Sequence, residues 1–302
     1  MQICIWGVRG SIPTPRQKVS LYGGNTPCVE LRSAGDDLVI MDGGTGLFPL
    51  GEDIVRRSRQ PKRVHIFLSH LHWDHIQGLP FFLPAFSEQY EVHVYAPRDI
   101  SLSSAELLGM QRRYCGFRFN NFHAYKVQYH DLDEGQVVQI GDNRISTMFL
   151  NHPALDFGFR VECEGKVFCY CTDIEPCAGR LLREGISVEQ VRSGSVSKEQ
   201  AIFHRENLRL VRFIADADLY IQDSMFSKEQ YLSKIGWGHS PYDFSLEVAY
   251  VAAVKRFVMF HFAPDYDDEE LNSMWRDAQG LAAHFREPLE VLAAQEGMAL
   301  EL

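Results

Sequence analysis

The stretch "LSHLHWDHIQGLPFF", residues 68–82, places His70, His72, Asp74 and His75 within six positions. Imidazole and carboxylate groups are ligands for Zn²⁺ and would also accept Mn²⁺ or Fe²⁺. His70 and His72 are two apart, so on an extended segment both side chains leave the same face. They follow "VHIFLS", an apolar strand pattern, at the kind of loop that carries chemistry. Asp74 and His75 form a second cluster in the turn beyond, and the "IQGLPFF" tail is expected to start the helix behind the site and pack it. Two imidazoles on one side and a carboxylate plus an imidazole on the other suit two adjacent cations better than one. A polar loop with chance histidines is a poorer account of such regular spacing.

A centre of two ions needs more donors, and other strand ends offer them. "RISTMFLNHPALDFG" ends a strand pattern near His152, "KVFCYCTDIEP" at Asp173 and "RFVMFHFAPDY" at His261. Each alone is weak, since a strand-end histidine is more often satisfied by ordinary hydrogen bonds. Beside the first cluster they gain weight.

The elements that must position these donors are short β-rich runs interleaved with helical patterns. "QICIW", "CVELRS", "DLVIMD", "VHIFLS" and "EVHVYA" recur in the first half, punctuated by glycine, proline and aspartate. "FGFRVEC" and "DLYIQD" continue the style in the second. Helical periodicity falls on "LFPLGEDIVRRSR" and "ISLSSAELLGMQRR", and near 242–254 and 267–284. Strands alternating with helices indicate an α/β protein. With no linker or low-complexity tract, one domain over residues 1–302 is expected, carrying a helical insertion at about 176–212.

Bulk properties narrow the function. The 302 residues, 45% hydrophobic and 23% charged, are ordinary for a globular chain with a sizeable core. A net charge of −10 argues against a broad nucleic-acid surface, because phosphate neutralisation supplies most non-specific affinity. Bound cations can override that field locally, so a short phosphodiester fits better than a polymer. The amino terminus shows no signal-peptide pattern, and no apolar run is long enough to span a membrane. Seven cysteines without a CxxC pair read as reduced thiols, which predicts a cytoplasmic protein. Cys169 and Cys171 share a strand face; packing is the better reading for them.

The series HLHWDH, His152, Asp173, His261 resembles the metallo-β-lactamase superfamily. That resemblance covers nearly the whole chain and implies a four-layer αβ/βα sandwich with the metal site at one edge of the two sheets. It also implies that His70, His72 and His152 bind one metal, that Asp74, His75 and His261 bind the other, and that Asp173 bridges. His72 matches the hydrolase pattern, whereas the diiron oxygen-reducing branch usually carries glutamate there.

Three features point within the superfamily to the branch of RNase Z and the phosphoribosyl cyclic phosphodiesterases. "WGVRGSIPTP", "YGGNTPCVEL" and "MDGGTG" resemble its opening, with Asp42 implied as an acid orienting a ligand histidine. "KIGWGHSPYDF" holds His239 and Ser240 at a helix start, where Ser240, Pro241 and Asp243 match an N-cap pattern. His239 resembles the histidine with which RNase Z-like enzymes protonate the leaving oxygen. "YIQDSMF" supplies Asp223, an aspartate in place of their glutamate, to hold that imidazole in its proton-donating tautomer. No glycine- and proline-rich arm for gripping tRNA is evident. The segment 103–125 is rich in arginine and aromatics, with Arg112, Arg113 and Arg118 as candidates for phosphate and Tyr114, Phe117 and Phe119 for stacking.

The resulting expectation is a binuclear phosphodiesterase using two divalent ions, Zn or Mn, with Fe as a further option. A hydroxide shared by the ions would attack a small cyclic or short nucleotide-like phosphodiester. Asp74, His239 and Asp223 would form the catalytic set, and Ser240 with the three arginines would contact substrate. No long nucleic acid or membrane partner is expected; a homodimer is compatible. The rivals are a thioester or other acyl hydrolase on the same metals, a non-catalytic nucleotide-binding module, and iron redox chemistry.

Overall fold

In the computed structural model, residues 1–98, 103–115 and 127–302 are described. The first half contributes β1 (Gln2–Gly7), β2 (Cys28–Arg32), β3 (Asp37–Met41), β4 (Arg63–Phe67), β5 (Glu91–Pro97) and β6 (Val127–Leu132). The second contributes β7 (Val137–Ile140), β8 (Asn143–Phe149), β9 (Phe157–Cys163), β10 (Lys166–Cys171), β11 (Leu219–Asp223), β12 (Arg256–Phe260) and β13 (Glu290–Ala293). A short β14 (Ala299–Glu301) returns to pair with β1.

Two seven-stranded sheets result, ordered β14-β1-β2-β3-β4-β5-β6 and β13-β12-β11-β10-β9-β8-β7. Each is antiparallel in its earlier strands and parallel in its later ones, from β3 to β6 and from β10 to β13. The parallel strands explain their own sequences. "DLVIM", "LYIQD" and "RFVMF" are buried almost throughout, because both faces of a parallel sheet are covered and no polar alternation survives.

The inner faces of the sheets meet in one core, where Phe67 and Phe159 stand edge to face at 5.7 Å between ring centres. Helix α1 (Leu47–Arg56) buries Leu47, Leu50 and Ile54 against Leu38, Ile40, Val64 and Ile66 on the outer face of the first sheet. The next helices are α2 (Trp73–Ile76) and α3 (Ser104–Tyr114), the latter opened by a Ser103–Glu106 capping box. Further on come α4 (Val188–Ser193), α5 (Lys198–Phe203), α6 (Arg205–Phe213), α7 (Lys228–Tyr231), α8 (Tyr242–Val251) and α9 (Asp268–Ala282). Leu208 of α6, Val248 of α8 and Leu271 of α9 cover the second sheet. The order helix, sheet, sheet, helix is the expected αβ/βα sandwich.

Residues 176–212 hold α4, α5 and most of α6. Arg180 ties them to α8 through Asp243 and, at 2.8 Å, Glu247. Two local expectations fail. "IQGLPFF" does not start a long helix; α2 stops at Ile76 and short 3₁₀ turns follow, since Pro80 and Pro84 cannot continue an α-helix. Ser240 does not cap α8 either. Pro241 is the extended residue before the helix, and the Ser240 hydroxyl donates to the Ile174 carbonyl at 2.5 Å, while Asp243 pairs with Arg180.

Packing accounts for the cysteines on β10. Burial pushes the Cys169 thiol up to about 12 and raises Cys171 as well, and neither joins a ligand group among the described residues. Among the described residues no helix is long and apolar enough to cross a membrane.

Candidate metal centre

The candidate residues gather where the central strands of both sheets end. β3 runs into Asp42, β4 into Ser69 and His70, β10 into Asp173, and β12 into His261, while Asp223 closes β11. Three of these turn the chain out of its strand with a left-handed backbone: Asp42 at φ 61°, Asp173 at φ 39° and His261 at φ 58°. Such conformations cost about 1–3 kcal/mol each and survive only where the surroundings impose them. His72 stands just before α2, and Asp74 and His75 lie on it.

Their donor atoms form two adjacent groups. In one, His75 Nε2 and His261 Nε2 are 3.2 Å apart, and each lies within 3.3 Å of both Asp74 Oδ2 and Asp173 Oδ1. In the other, His72 Nδ1 faces His152 Nε2 at 3.2 Å, and His70 Nε2 is 3.5 Å from Asp173 Oδ2. Asp173 thus directs one oxygen to each group.

These spacings suit cations. Four ligands held at about 2 Å around a tetrahedral ion stand about 3.3 Å from one another. Two of the outward nitrogens are occupied: His75 Nδ1 donates to Asp42 at 2.8 Å and His152 Nδ1 donates to the Gly238 carbonyl at 2.9 Å, so each turns its Nε2 to the centre. His70 Nε2 is fully buried without a hydrogen bond. An all-imidazole and carboxylate donor set fits a divalent transition ion.

The sequence comparisons agree with this geometry. Residues 39–192, about half of the chain, match the family described as the beta-lactamase superfamily domain. The chain belongs to the beta-lactamase superfamily. It is 26% identical over 266 residues to ribonuclease BN of Cronobacter sakazakii (strain ATCC BAA-894), covering 79% of this chain and 85% of the relative. It is 25% identical over 309 residues to ribonuclease Z of Treponema pallidum (strain Nichols), covering 94% of both. The crystal structure of the metallo-β-lactamase fold protein YhfI from Bacillus subtilis superposes with a TM-score of 0.66 at 17% identity, over 99% of each chain. The sandwich is therefore the metallo-β-lactamase fold.

Within this superfamily member, His239 stands over the two donor groups, its ring 5.1 Å from that of His261 and 5.7 Å from that of His152. Its Nδ1 donates to Asp223 Oδ2 at 2.9 Å, leaving Nε2 outside that bond. Asp223 is itself fixed, accepting from Met225 N at 2.9 Å and Ser240 N at 3.3 Å. Ser240 is fully buried. Arg112 and Arg113 fall in the last turn of α3, which Tyr114 ends, whereas Arg118, Phe117 and Phe119 lie outside the described residues.

Charge in the metal-free centre is carried by protons. Burial works against a protonated His261, yet Asp173 and Asp74 push its pKa up to about 10. His75 follows the same pattern: burial lowers it, but Asp173, Asp74 and Asp42 raise it well above the usual imidazole range. His70, His72 and His152 are instead lowered, by burial above all. The carboxyl of Asp173 is held far down by His261 and His75 despite its burial. Burial also opposes a charged His239, and Asp223 more than compensates, so its pKa is raised.

Two contributors to the site lie outside any motif. Asp156 is buried, its carboxylate 3.5 Å from His70 Nδ1 and without a hydrogen-bond partner for either oxygen. The signal available was a charged residue at the head of the wholly apolar "FGF" run. Glu175 accepts from Gly236 N at 2.6 Å, Gly238 N at 2.9 Å and Tyr231 OH at 3.0 Å, tethering the loop that leads to His239. Gly238 is at φ 87°, and a Cβ there would come within 2.5 Å of His152 Nδ1.

Proposed function

We propose that this metal-dependent hydrolase cleaves a small cyclic or short nucleotide-like phosphodiester, using two divalent ions held by the two donor groups. His70, His72 and His152 would hold one ion, Asp74, His75 and His261 the other, with Asp173 between them. When bound, the ions supply Lewis acidity, both for drawing a nucleophile from water and for neutralising charge on the phosphoryl oxygens.

The His239–Asp223 contact carries the reading. Asp223 takes the Nδ1 proton bond, orients the ring and favours its cationic form. His239 then donates the Nε2 proton to the departing ester oxygen as the P–O bond breaks. Water adds to phosphorus, the protonated ester oxygen departs as a hydroxyl, which stays on the same molecule when the diester is cyclic, and a phosphomonoester remains. Hydrolysis of a thioester has less need of a separately oriented acid beside the ions, because a thiolate leaves readily without a proton. Ribonuclease relatives make a short RNA the alternative substrate, and the net charge of −10 favours the smaller one.

The test is a panel of bis(p-nitrophenyl) phosphate, 2′,3′- and 3′,5′-cyclic nucleotides, cyclic ribose phosphates, short RNAs, a tRNA precursor and a glutathione thioester, each with Zn²⁺ and Mn²⁺. Turnover of the small phosphodiesters, lost on chelation and restored by metal, is expected. Preference for the thioester would reject the reaction class, and preference for the tRNA precursor would reject the substrate.

A further inference from the structure

We propose that Glu175 is a positioning residue for the reaction: through one loop its carboxylate sets the place of both the acid His239 and the metal donor His152. This deepens the phosphodiesterase reading and rests on its assignment of those two histidines.

Glu175 lies two residues beyond Asp173, where β10 has ended, and its backbone is fixed. Its N–H donates to the Asn151 carbonyl at 2.9 Å, and its own carbonyl accepts from Asn151 Nδ2 at 2.9 Å, beside His152. From that anchor the half-buried side chain reaches the loop ahead of His239. Gly236 N donates to Oε1 at 2.6 Å, Gly238 N to Oε2 at 2.9 Å and Tyr231 OH to Oε1 at 3.0 Å. Both oxygens are used, and among the described residues no cation pairs with Glu175, so its charge is met by the loop itself. Main-chain amides turned on one anion form a nest, and here the anion belongs to the chain. Gly236 and Gly238 have φ of 90° and 87°, a backbone that glycine takes readily, so amides two apart can face one carboxylate.

The loop has little else to hold it. Leu232, Ser233, Ile235, Gly236 and Trp237 are exposed. Among the described residues, the Gly236 bond is the only hydrogen bond from 232–237 to a residue beyond α7 and the loop itself. The far end of the loop bears on both histidines. Gly238 O accepts from His152 Nδ1 at 2.9 Å, and a Cβ on Gly238 would come within 2.5 Å of His152 Nδ1 and of Pro153 Cδ. His239 follows directly, held on its other side by Asp223 and by Ser240, whose hydroxyl donates to the Ile174 carbonyl. Ile174 and Glu175 thus grip the chain before and after His239 from one strand end. An acid and a metal donor fixed by one carboxylate keep a constant separation, and a misplacement of about 1 Å in such geometry can cost about 10²-fold in rate.

Three readouts on the full chain at saturating zinc test this. Hydrogen exchange, followed by mass spectrometry in peptides covering 232–240, is independent of turnover. Glu175→Ala should speed exchange of the Gly236 and Gly238 amides about 10- to 100-fold, the worth of a hydrogen bond to a charged group. In chelator competition, the ion that His152 is proposed to hold should weaken about 10-fold, and the other should not. In phosphodiester turnover, kcat should fall about 10- to 100-fold with KM changed less. Glu175→Gln, which keeps one acceptor, should fall between wild type and alanine in all three, and Tyr231→Phe, which leaves both amide bonds, should have the smallest effect. Unchanged amide exchange in Glu175→Ala, or lost thermal stability with wild-type kcat and zinc affinity, overturns the inference and leaves the phosphodiesterase reading standing. Wild-type protein without phosphodiester turnover would reject that reading instead, and exchange and zinc affinity would then decide the inference alone.

Discussion

Asp42 Oδ2 lies 2.8 Å from His75 Nδ1, joining the end of a strand in the first sheet to a donor on α2. The same carboxylate accepts from Ser69 N at 2.7 Å, Ser69 Oγ at 3.0 Å and, across the sandwich, Tyr170 OH at 2.7 Å. A carboxylate behind a ligand imidazole sets its tautomer and basicity, and losing it typically costs 10- to 100-fold in metal affinity, in order-of-magnitude terms. Asp42→Asn should weaken, by about that factor, the ion that His75 is proposed to hold. Competition with a chromophoric chelator would resolve it; two unaltered affinities would count against the assignment.

Asp223→Asn should leave metal content intact and reshape the pH profile. In the proposed reaction His239 acts when protonated, so activity should fall as pH rises through its pKa. Asp223 raises that pKa, and removing the negative charge lowers it. The descending limb of kcat/KM should therefore move to lower pH. His239→Ala should lower kcat by about 10²- to 10⁴-fold, the usual worth of a positioned acid. Loss of an ion on Asp223→Asn would make Asp223 a ligand instead.

Metal uptake should release protons. His261, at about 10, and His75 are protonated in the metal-free protein at neutral pH, and an ion must displace those protons. Affinity for the ion between Asp74, His75 and His261 should fall as pH drops. Zinc titration in weakly buffered solution, followed with a pH electrode, reads the release directly; a pH-independent affinity would rule out the displacement.

Asp156 presents a trade-off between stability and the metal. Burial first, then Asp173, raises its pKa well above the ordinary carboxyl value. An acid raised on folding is most favourable below its unfolded pKa and loses that contribution as pH rises toward the folded value. Asp156→Asn should therefore stabilise the metal-free protein more at pH 8 than at pH 5, by about 1 kcal/mol or more in thermal melts. It should also weaken the ion held by His70, which loses its neighbouring carboxylate. An equal effect at both pH values would show that the carboxyl is not held neutral by burial.

Ten of the strands announced themselves as apolar runs bounded by breakers. The sheet-edge strands β6, β7, β13 and β14 did not, because they are short or half-exposed, with no long apolar stretch to mark them. The proline turns after α2 show the same limit, since "IQGLPFF" has helical hydrophobicity but not helical backbone freedom.

What the amino-acid sequence alone determines is the inventory: donors at strand ends, an α/β order, and a charge that disfavours a polymeric anion. Donor type and local spacing carry that information, since neighbours in sequence along a strand end are neighbours in space. Only the tertiary structure decides which donors converge. His75 and His261 are separated by 186 positions yet stand 3.2 Å apart, because strands from opposite sheets end at one edge of the sandwich. The same closure buries Asp156 beside His70 and turns Asp42, Asp173 and His261 into left-handed backbone. Local sequence encodes none of these relations, because each is set by packing between segments that meet only when the two sheets close.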